Sequence, residues 1–233
     1  KRMKVAIVIP AYNEEKRIGK TLDAYSRYFT ALEKKTKLKY EIIVVINGTT
    51  DSTEKVVKYY QKRDRKIKYI NLIKGGKGYA IIEGFKIALE KKHDLIGFVD
   101  ADMATPPQAF AELIKQIGDR DGVIASRWVK GSIIKTPQTL LRKITSRGFN
   151  ILVRSILLLN FQDTQCGAKL FKRKALSAVV NELGVTEWAF DIDLLYNLKK
   201  KGFSVIETQT IWEDKKESKL NLTNVPLQMF SAV

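Results

Sequence analysis

Short, continuously apolar runs alternate along the first half of the chain with stretches of helical periodicity. VAIVIP (5–10), YEIIVVI (40–46), IKYINLI (67–73) and DLIGFVD (94–100) read as strands, and helical patterns at about 15–35, 51–63, 77–91 and 106–118 follow them in turn. Strands that are apolar at every position, rather than at every second one, are buried on both faces. With helices between them, this predicts an α/β fold built on a mostly parallel central sheet flanked by helices. Ligands of such sheets gather at the carboxyl ends of the strands, which points to the loops after Pro10, Ile46, Ile73 and Val99.

Beyond residue 120 the pattern predicts a strand DGVIASR (121–127), a long amphipathic helix at about 137–159 and a strand AKLFKR (168–173). Two more helices and a last strand, FSVIETQTIW (203–212), complete it. No Gly/Ser-rich linker and no internal repeat divides the chain, so one domain over residues 1–233 is expected. The apolar stretch FNILVRSILLLNF is broken by Arg154 and falls short of the roughly 20 residues a spanning helix needs. KRMKVAIVIP is too short an apolar run for a signal peptide. The apolar ending NVPLQMFSAV is compatible with a membrane segment following residue 233.

Composition narrows the chemistry. At 233 residues, 45% apolar and 29% charged, the chain can bury a sizeable core. Its single cysteine, Cys166, excludes an intrachain disulfide framework and a Cys-cluster zinc site, and favours a reducing compartment. His93, the only histidine, leaves no His-based triad or zinc motif. Catalysis must therefore run on carboxylates, lysines, arginines and backbone amides. A net charge of +17, from 42 Lys and Arg against 25 Asp and Glu, suits a polyanionic partner: nucleic acid, an anionic membrane surface or a phosphorylated substrate. Runs such as ALEKKTKLK equally suit a solvated helix face.

The candidate chemistry lies in the predicted loops. In FVDADMATPP, Asp100 and Asp102 are two residues apart at a strand end and can aim both carboxylates at one point. Two close like charges are unfavourable unless a cation sits between them, and Mg or Mn shared with a diphosphate fits that need. The same pair suits an ordinary turn, with Thr105 as helix N-cap and Pro106 at the first helical position. KGGKGYA (74–80) sets glycines and Lys77 at a helix start, where a phosphate or a plain glycine turn is at home. Asn47, in INGTTDST, suits a base or ribose contact or a turn, and Asp51 is placed to cap the next helix. Asp191 and Asp193 of TEWAFDIDLL face an acceptor or complement a helix N-terminus.

Taken in order, VAIVIPAYNEE, EIIVVINGTTDST, GGKGYAIIEGFKIA, FVDADMATPP, ASRW, DTQCGAKLF and ESKL resemble the inverting glycosyltransferase family 2. Within it, they are most similar to the dolichyl-phosphate mannose and glucose synthases. The resemblance implies the Rossmann-like GT-A fold, with a nucleotide-sugar-binding half at 1–120 and an acceptor half at 121–233. It implies that Pro10, Tyr12 and Glu14 line the nucleotide pocket, and that Asp100, Ala101 and Asp102 sit at the ribose, the diphosphate and the metal. Arg127, Arg142, Ser218 and Lys219 become the contacts to donor and acceptor phosphates, a role suited to the arginine fork. Ile46 and Asn47 stand where the family reads two acids of DDGS, so the contact to base or ribose passes to a neutral amide. UDP-glucose and GDP-mannose both stay open as donors. Ala104 replaces a glutamine that helps hold the metal in the mannose synthases. DTQCG and the Phe190–Asp191 pair look more like the glucose synthases.

The implied reaction moves a hexose from a nucleotide-sugar to dolichyl or polyprenyl phosphate with inversion. Mg or Mn serves as cofactor, Asp102 as a catalytic residue and Asp191 as candidate base. The helix at 137–159 would lie in the interface of an anionic membrane on its cytoplasmic side, or else pack into the core. Other classes are a family 2 enzyme with another acceptor, a sugar-phosphate nucleotidyltransferase, and a basic nucleic-acid binder. PAYNEEKR lacks the glycine-rich loop of the nucleotidyltransferase, and no nucleic-acid motif or aromatic stacking cluster supports the binder, so no nucleic-acid partner is expected.

Overall fold

The computed structural model describes residues 2–136, 148, 154, 156–184 and 189–213. Most of the expected interface helix at 137–159, together with Arg142, Ser218 and Lys219, lies outside them. Strands β1 (Met3–Ala11), β2 (Leu38–Asn47), β3 (Ile67–Leu72) and β4 (Leu95–Val99) alternate with α1 (Ile18–Lys35), α2 (Thr53–Arg63) and α3 (Lys77–Glu90), as the apolar runs predict. Then come α4 (Pro107–Gln116), β5 (Gly122–Ser126), β6 (Ile133–Ile134), β7 (Ala168–Lys172), α5 (Arg173–Val179), α6 (Phe190–Lys200), β8 (Val205–Gln209) and β9 (Ile211–Trp212).

The central sheet has seven strands in the order β3-β2-β1-β4-β7-β5-β8, and β6 pairs with β9 in a separate ribbon. Every pairing in the large sheet is parallel except those of β7, which runs antiparallel to both β4 and β5. Three details differ from the pattern reading. The last strand breaks at Thr210 into β8 and β9, and there the Thr210 N–H donates to the Ser132 hydroxyl (3.2 Å). Helix α4 starts one residue late, with Pro106 as N-cap and Pro107 as first helical residue; Thr105 instead gives its carbonyl to the Tyr25 hydroxyl (2.8 Å). Asp51 likewise sits one position before the N-cap Ser52 of α2 and accepts from the Thr53 N–H (2.9 Å).

Both faces of the sheet are covered, which is why the strands are apolar throughout. Val5, Ile7 and Ile9 of β1 point to one side with Ile18, Leu22, Tyr25 and Phe29 of α1 and Phe110 of α4. Ala6 and Val8 point to the other side, where Ile81 and Phe85 of α3 meet Phe190 and Leu194 of α6. Alternate residues of one strand thus feed two cores. Among the described residues, no helix is long and apolar enough to cross a membrane.

Gly84 lets α3 lie close on β1, since a Cβ there would overlap the Val8 side chain and crowd Val45. A helical Gly→Ala change gains up to about 1 kcal/mol in propensity, but over-packing costs about 1–3 kcal/mol. Gly84→Ala is expected to be destabilising on balance, as measured by chemical denaturation.

Candidate active site

Strand order reverses about β1, with β2 and β3 on one side and β4 on the other, and the crevice at such a point is where these sheets bind ligands. The loops that follow β1, β2, β3 and β4 meet there. Asn13 adopts a left-handed conformation (φ 51°), and its side-chain oxygen accepts from the Thr50 N–H (2.8 Å), joining the first two loops. The Glu14 N–H donates to Thr53 Oγ1 (2.7 Å), while its carboxylate pairs with Arg17 at 2.5 Å.

Asp100 and Asp102 occupy the turn after β4 and are held by several elements. The Asp100 N–H donates to the Gly167 carbonyl (3.2 Å), and its carboxylate lies where a Cβ on Gly167 would stand. Lys77, at the start of α3, brings its Nζ to 2.5 Å from Asp100 Oδ1. Asp102 Oδ1 accepts from the Ala104 N–H (2.9 Å), across a left-handed Met103 (φ 64°), a conformation uncommon outside glycine. Two buried hydroxyls of α1, one turn apart, fasten the ends of the turn: Thr21 donates to the Ala101 carbonyl (2.6 Å) and Tyr25 to that of Thr105 (2.8 Å).

The electrostatics follow from this crowding. Burial first, and then the Asp100 charge, push Asp102 above the ordinary carboxylate range, against the pull of the Ala104 N–H, Arg17 and Lys77. Burial disfavours the Lys77 ammonium, yet Asp100, Asp191 and Asp102 outweigh it and hold its pKa above that of free lysine. Burial raises the Tyr25 phenol well above its usual value, and both aspartates add to the effect. The anionic pair is thus under a penalty that a divalent cation relieves, and its ligand atoms are the hard oxygens that Mg and Mn prefer. No group of three or more candidate ligands occurs among the described residues. Ala104, where a third ligand would come from, turns a buried methyl into the core.

The other expected site residues divide. Pro10 and Ala101 are buried at the strand ends beneath the crevice, and Tyr12 is half exposed at its rim. Ile46 does not present its side chain to the site: it is fully buried in the core, as its position opposite Ala11 of β1 requires. The Asn47 amide is also buried; its nitrogen donates to the Ala11 carbonyl (2.9 Å) and its oxygen accepts from the Gly76 N–H (3.2 Å), so it ties loops together.

Arg127, expected on a phosphate, has its fork committed elsewhere. Nε and Nη2 donate to the two oxygens of Asp163 (2.7 and 2.8 Å), and the guanidinium lies over the Trp212 ring, 5.2 Å from its centre. Burial alone would raise Asp163, but the charge and hydrogen bonds of Arg127 reverse this and hold the carboxyl below the ordinary range. Asp191 lies in the first turn of α6, paired with the fully buried Lys169 at 2.5 Å. Asp193 serves the helix terminus, accepting from the Gly184 N–H (2.9 Å). Cys166 is buried, and burial followed by the Asp163 charge pushes its thiol up to about 12, so it is no nucleophile.

Sequence reasoning passed over Gly167, Thr21, Tyr25, Asp163 and Lys169. A lysine inside the apolar run AKLF carried a usable signal, because a charge on a two-sided buried strand needs a buried partner. Nothing local marks Thr21 and Tyr25, whose partners lie 80 residues away.

A family model described as "Glycosyl transferase family 2" matches residues 6–180. A dolichyl-phosphate beta-glucosyltransferase of Dictyostelium discoideum is 31% identical over 236 residues, covering 97% of this chain and 71% of that protein. The Homo sapiens protein of the same name is 34% identical over 229 residues, covering 93% and 69%. Among solved structures, Mycobacterium tuberculosis glucosyl-3-phosphoglycerate synthase in complex with Mn2+, uridine-diphosphate and phosphoglyceric acid aligns with a TM-score of 0.74 at 16% identity, covering 98% of this chain and 76% of that one. Its complex with Mg2+ and uridine-diphosphate aligns equally well, with a TM-score of 0.74.

Two outcomes test this geometry. Gly167→Ala forces a methyl into the Asp100 carboxylate, and is expected to lower turnover by about 10-fold or more while the protein stays folded, measured by steady-state kinetics beside circular dichroism. Asp163→Asn leaves Arg127 buried without its counter-charge and is expected to cost about 3–5 kcal/mol near pH 7 by denaturant titration. Because the folded pKa of Asp163 is lowered, this stabilisation is present above the unfolded value and is lost as pH falls through the folded one. The deficit of the variant should therefore shrink below about pH 4.

Proposed function

The chain belongs to glycosyl transferase family 2, and from that premise we propose that it transfers glucose from UDP-glucose to dolichyl or another polyprenyl phosphate, with inversion at the anomeric carbon. The observation that carries the reading is the Asp100–Asp102 turn at the reversal point of the sheet, faced by Lys77. Support for glucose comes from the names of the relatives, which cover nearly the whole chain, and from the DTQCG and Phe190–Asp191 features. Support for a uridine nucleotide comes from the solved relative that shares the GT-A fold, whose complexes hold uridine-diphosphate with Mn2+ or Mg2+.

Asp100 and Asp102 would hold the divalent cation, with Asp102 the ligand left open by Lys77. When bound, such a cation supplies positive charge to the departing diphosphate. Lys77 adds a second positive charge beside Asp100 and orients that carboxylate. The hydroxyls of Thr21 and Tyr25 fix the turn before substrate arrives, so little reorganisation remains for the chemical step. The acceptor phosphate is anionic near neutral pH and attacks without needing a proton removed. Arg142, Ser218 and Lys219 are assigned to that phosphate, and the excess positive charge draws the chain to the cytoplasmic face of an anionic membrane.

The test is a matrix of UDP-glucose, GDP-mannose and UDP-N-acetylglucosamine against short polyprenyl phosphates, with and without EDTA. UDP-glucose is expected to give lipid-linked sugar, EDTA to abolish it, and Asp102→Asn to lower kcat by about 100-fold or more. Transfer that persists under chelation and in the variant rejects the metal-dependent site. Preference for GDP-mannose reassigns the sugar.

A further inference from the structure

Lys169 is fully buried on β7, where its neighbours Ala168, Leu170 and Phe171 are buried and apolar. Its ammonium donates to Asp191 Oδ1 (2.5 Å) and to the Cys166 carbonyl (2.7 Å), and it lies 5.4 Å from the centre of the Phe98 ring. A buried ion pair is weak grounds for stability, since an apolar pair of similar volume commonly does as well or better. The two bonds of this ammonium lead to the donor site by separate routes. The Cys166 carbonyl opens the peptide to Gly167, whose own carbonyl takes the Asp100 N–H and whose bare Cα leaves room for the Asp100 carboxylate. Asp191, on α6, acts through its charge on Lys77, the partner of Asp100.

We infer that Lys169 is a positioning residue, and that the Lys169–Asp191 pair seats Asp100 and Lys77 for the donor diphosphate rather than moving a proton. The inference rests on the donor reading given above. One oxygen of Asp191 is already engaged by the buried ammonium, and an acceptor phosphate brings its own negative charge, so the reaction has no step that requires a base at this place. Charges of alternating sign run Lys169, Asp191, Lys77, Asp100, from β7 through α6 and α3 to the end of β4. Loss of the first pair removes the support of the second.

The experiment compares wild type with Lys169→Met, Asp191→Asn and the double variant. It reads thermal midpoint, UDP affinity in the presence of Mn2+ by calorimetry, and kcat against pH. Each single change strands a buried charge and is expected to lower the midpoint; the double change removes both charges and should recover most of it. The inference expects the recovered double variant still to bind UDP about 10-fold or more weakly. A double variant that regains both stability and UDP affinity overturns it, because the pair would then only hold the fold together. An Asp191→Asn protein with unchanged UDP affinity, but with kcat reduced and its acid limb gone, also overturns it, because Asp191 would then be a base. Should the double variant not fold, Lys169→Gln, which keeps a donor for the Cys166 carbonyl, is read by the same two criteria. Wild type that binds no UDP with Mn2+ rejects the donor reading itself, and this inference with it; equal binding by wild type and variants rejects this inference alone.

Discussion

Two carboxylates two residues apart in one turn repel each other, and much of the site is the means of keeping them together. Asp100 is met by the Lys77 ammonium, and Asp102 by the Ala104 N–H. The turn itself is fastened at both ends by α1 hydroxyls that are buried and have a fixed partner each. The left-handed Met103 shows how tightly the chain is turned to bring the second carboxylate round. Strain of this kind persists only where its surroundings determine the conformation, and here α1, α3 and the approach to β7 all do so.

The parts of the molecule that were legible in the sequence are those where a residue's own character decides its place. Strands β1, β2 and β4 are apolar on both faces, so their existence and burial follow from the pattern alone. The Asp100–Asp102 turn follows from spacing at a strand end. What the pattern lacks is direction: a two-sided buried strand reads the same either way, so the antiparallel run of β7 was not available from AKLF. Pairings across long stretches of chain were equally hidden. Arg127 has the chemistry of a phosphate ligand and could not be told, from sequence, from an arginine whose counter-charge is Asp163. Ile46 and Asn47 occupy motif positions, but the first is core and the second binds loops together.

The two halves of the chain are therefore not independent contributors. The first half provides the strand ends and the carboxylates, while the second provides what backs them. Gly167 receives Asp100, Lys169 holds the turn before it, and Glu207 of β8 accepts from the Gln162 and Asp163 N–H groups (2.7 and 2.8 Å), bracing the same segment. A carboxylate turn drawn from residues before 120 alone would lack one wall.

The reversed direction of β7 has a consequence for how such a domain can change over evolution. Strand β5 ends, and its antiparallel neighbour β7 begins, at the same end of the strands, so the chain between Ser126 and Ala168 leaves and re-enters at the rim of the crevice. Its two ends are fixed by neighbouring strands, whatever its length. Closing a loop between fixed ends grows costlier only slowly, by about 0.6 kcal/mol for each doubling. Insertions or deletions in its middle, away from Arg127 and from the Asp163–Gly167 segment that backs Asp100, would leave the strand pairing and the carboxylate turn in place, so the excursion can vary around a constant turn.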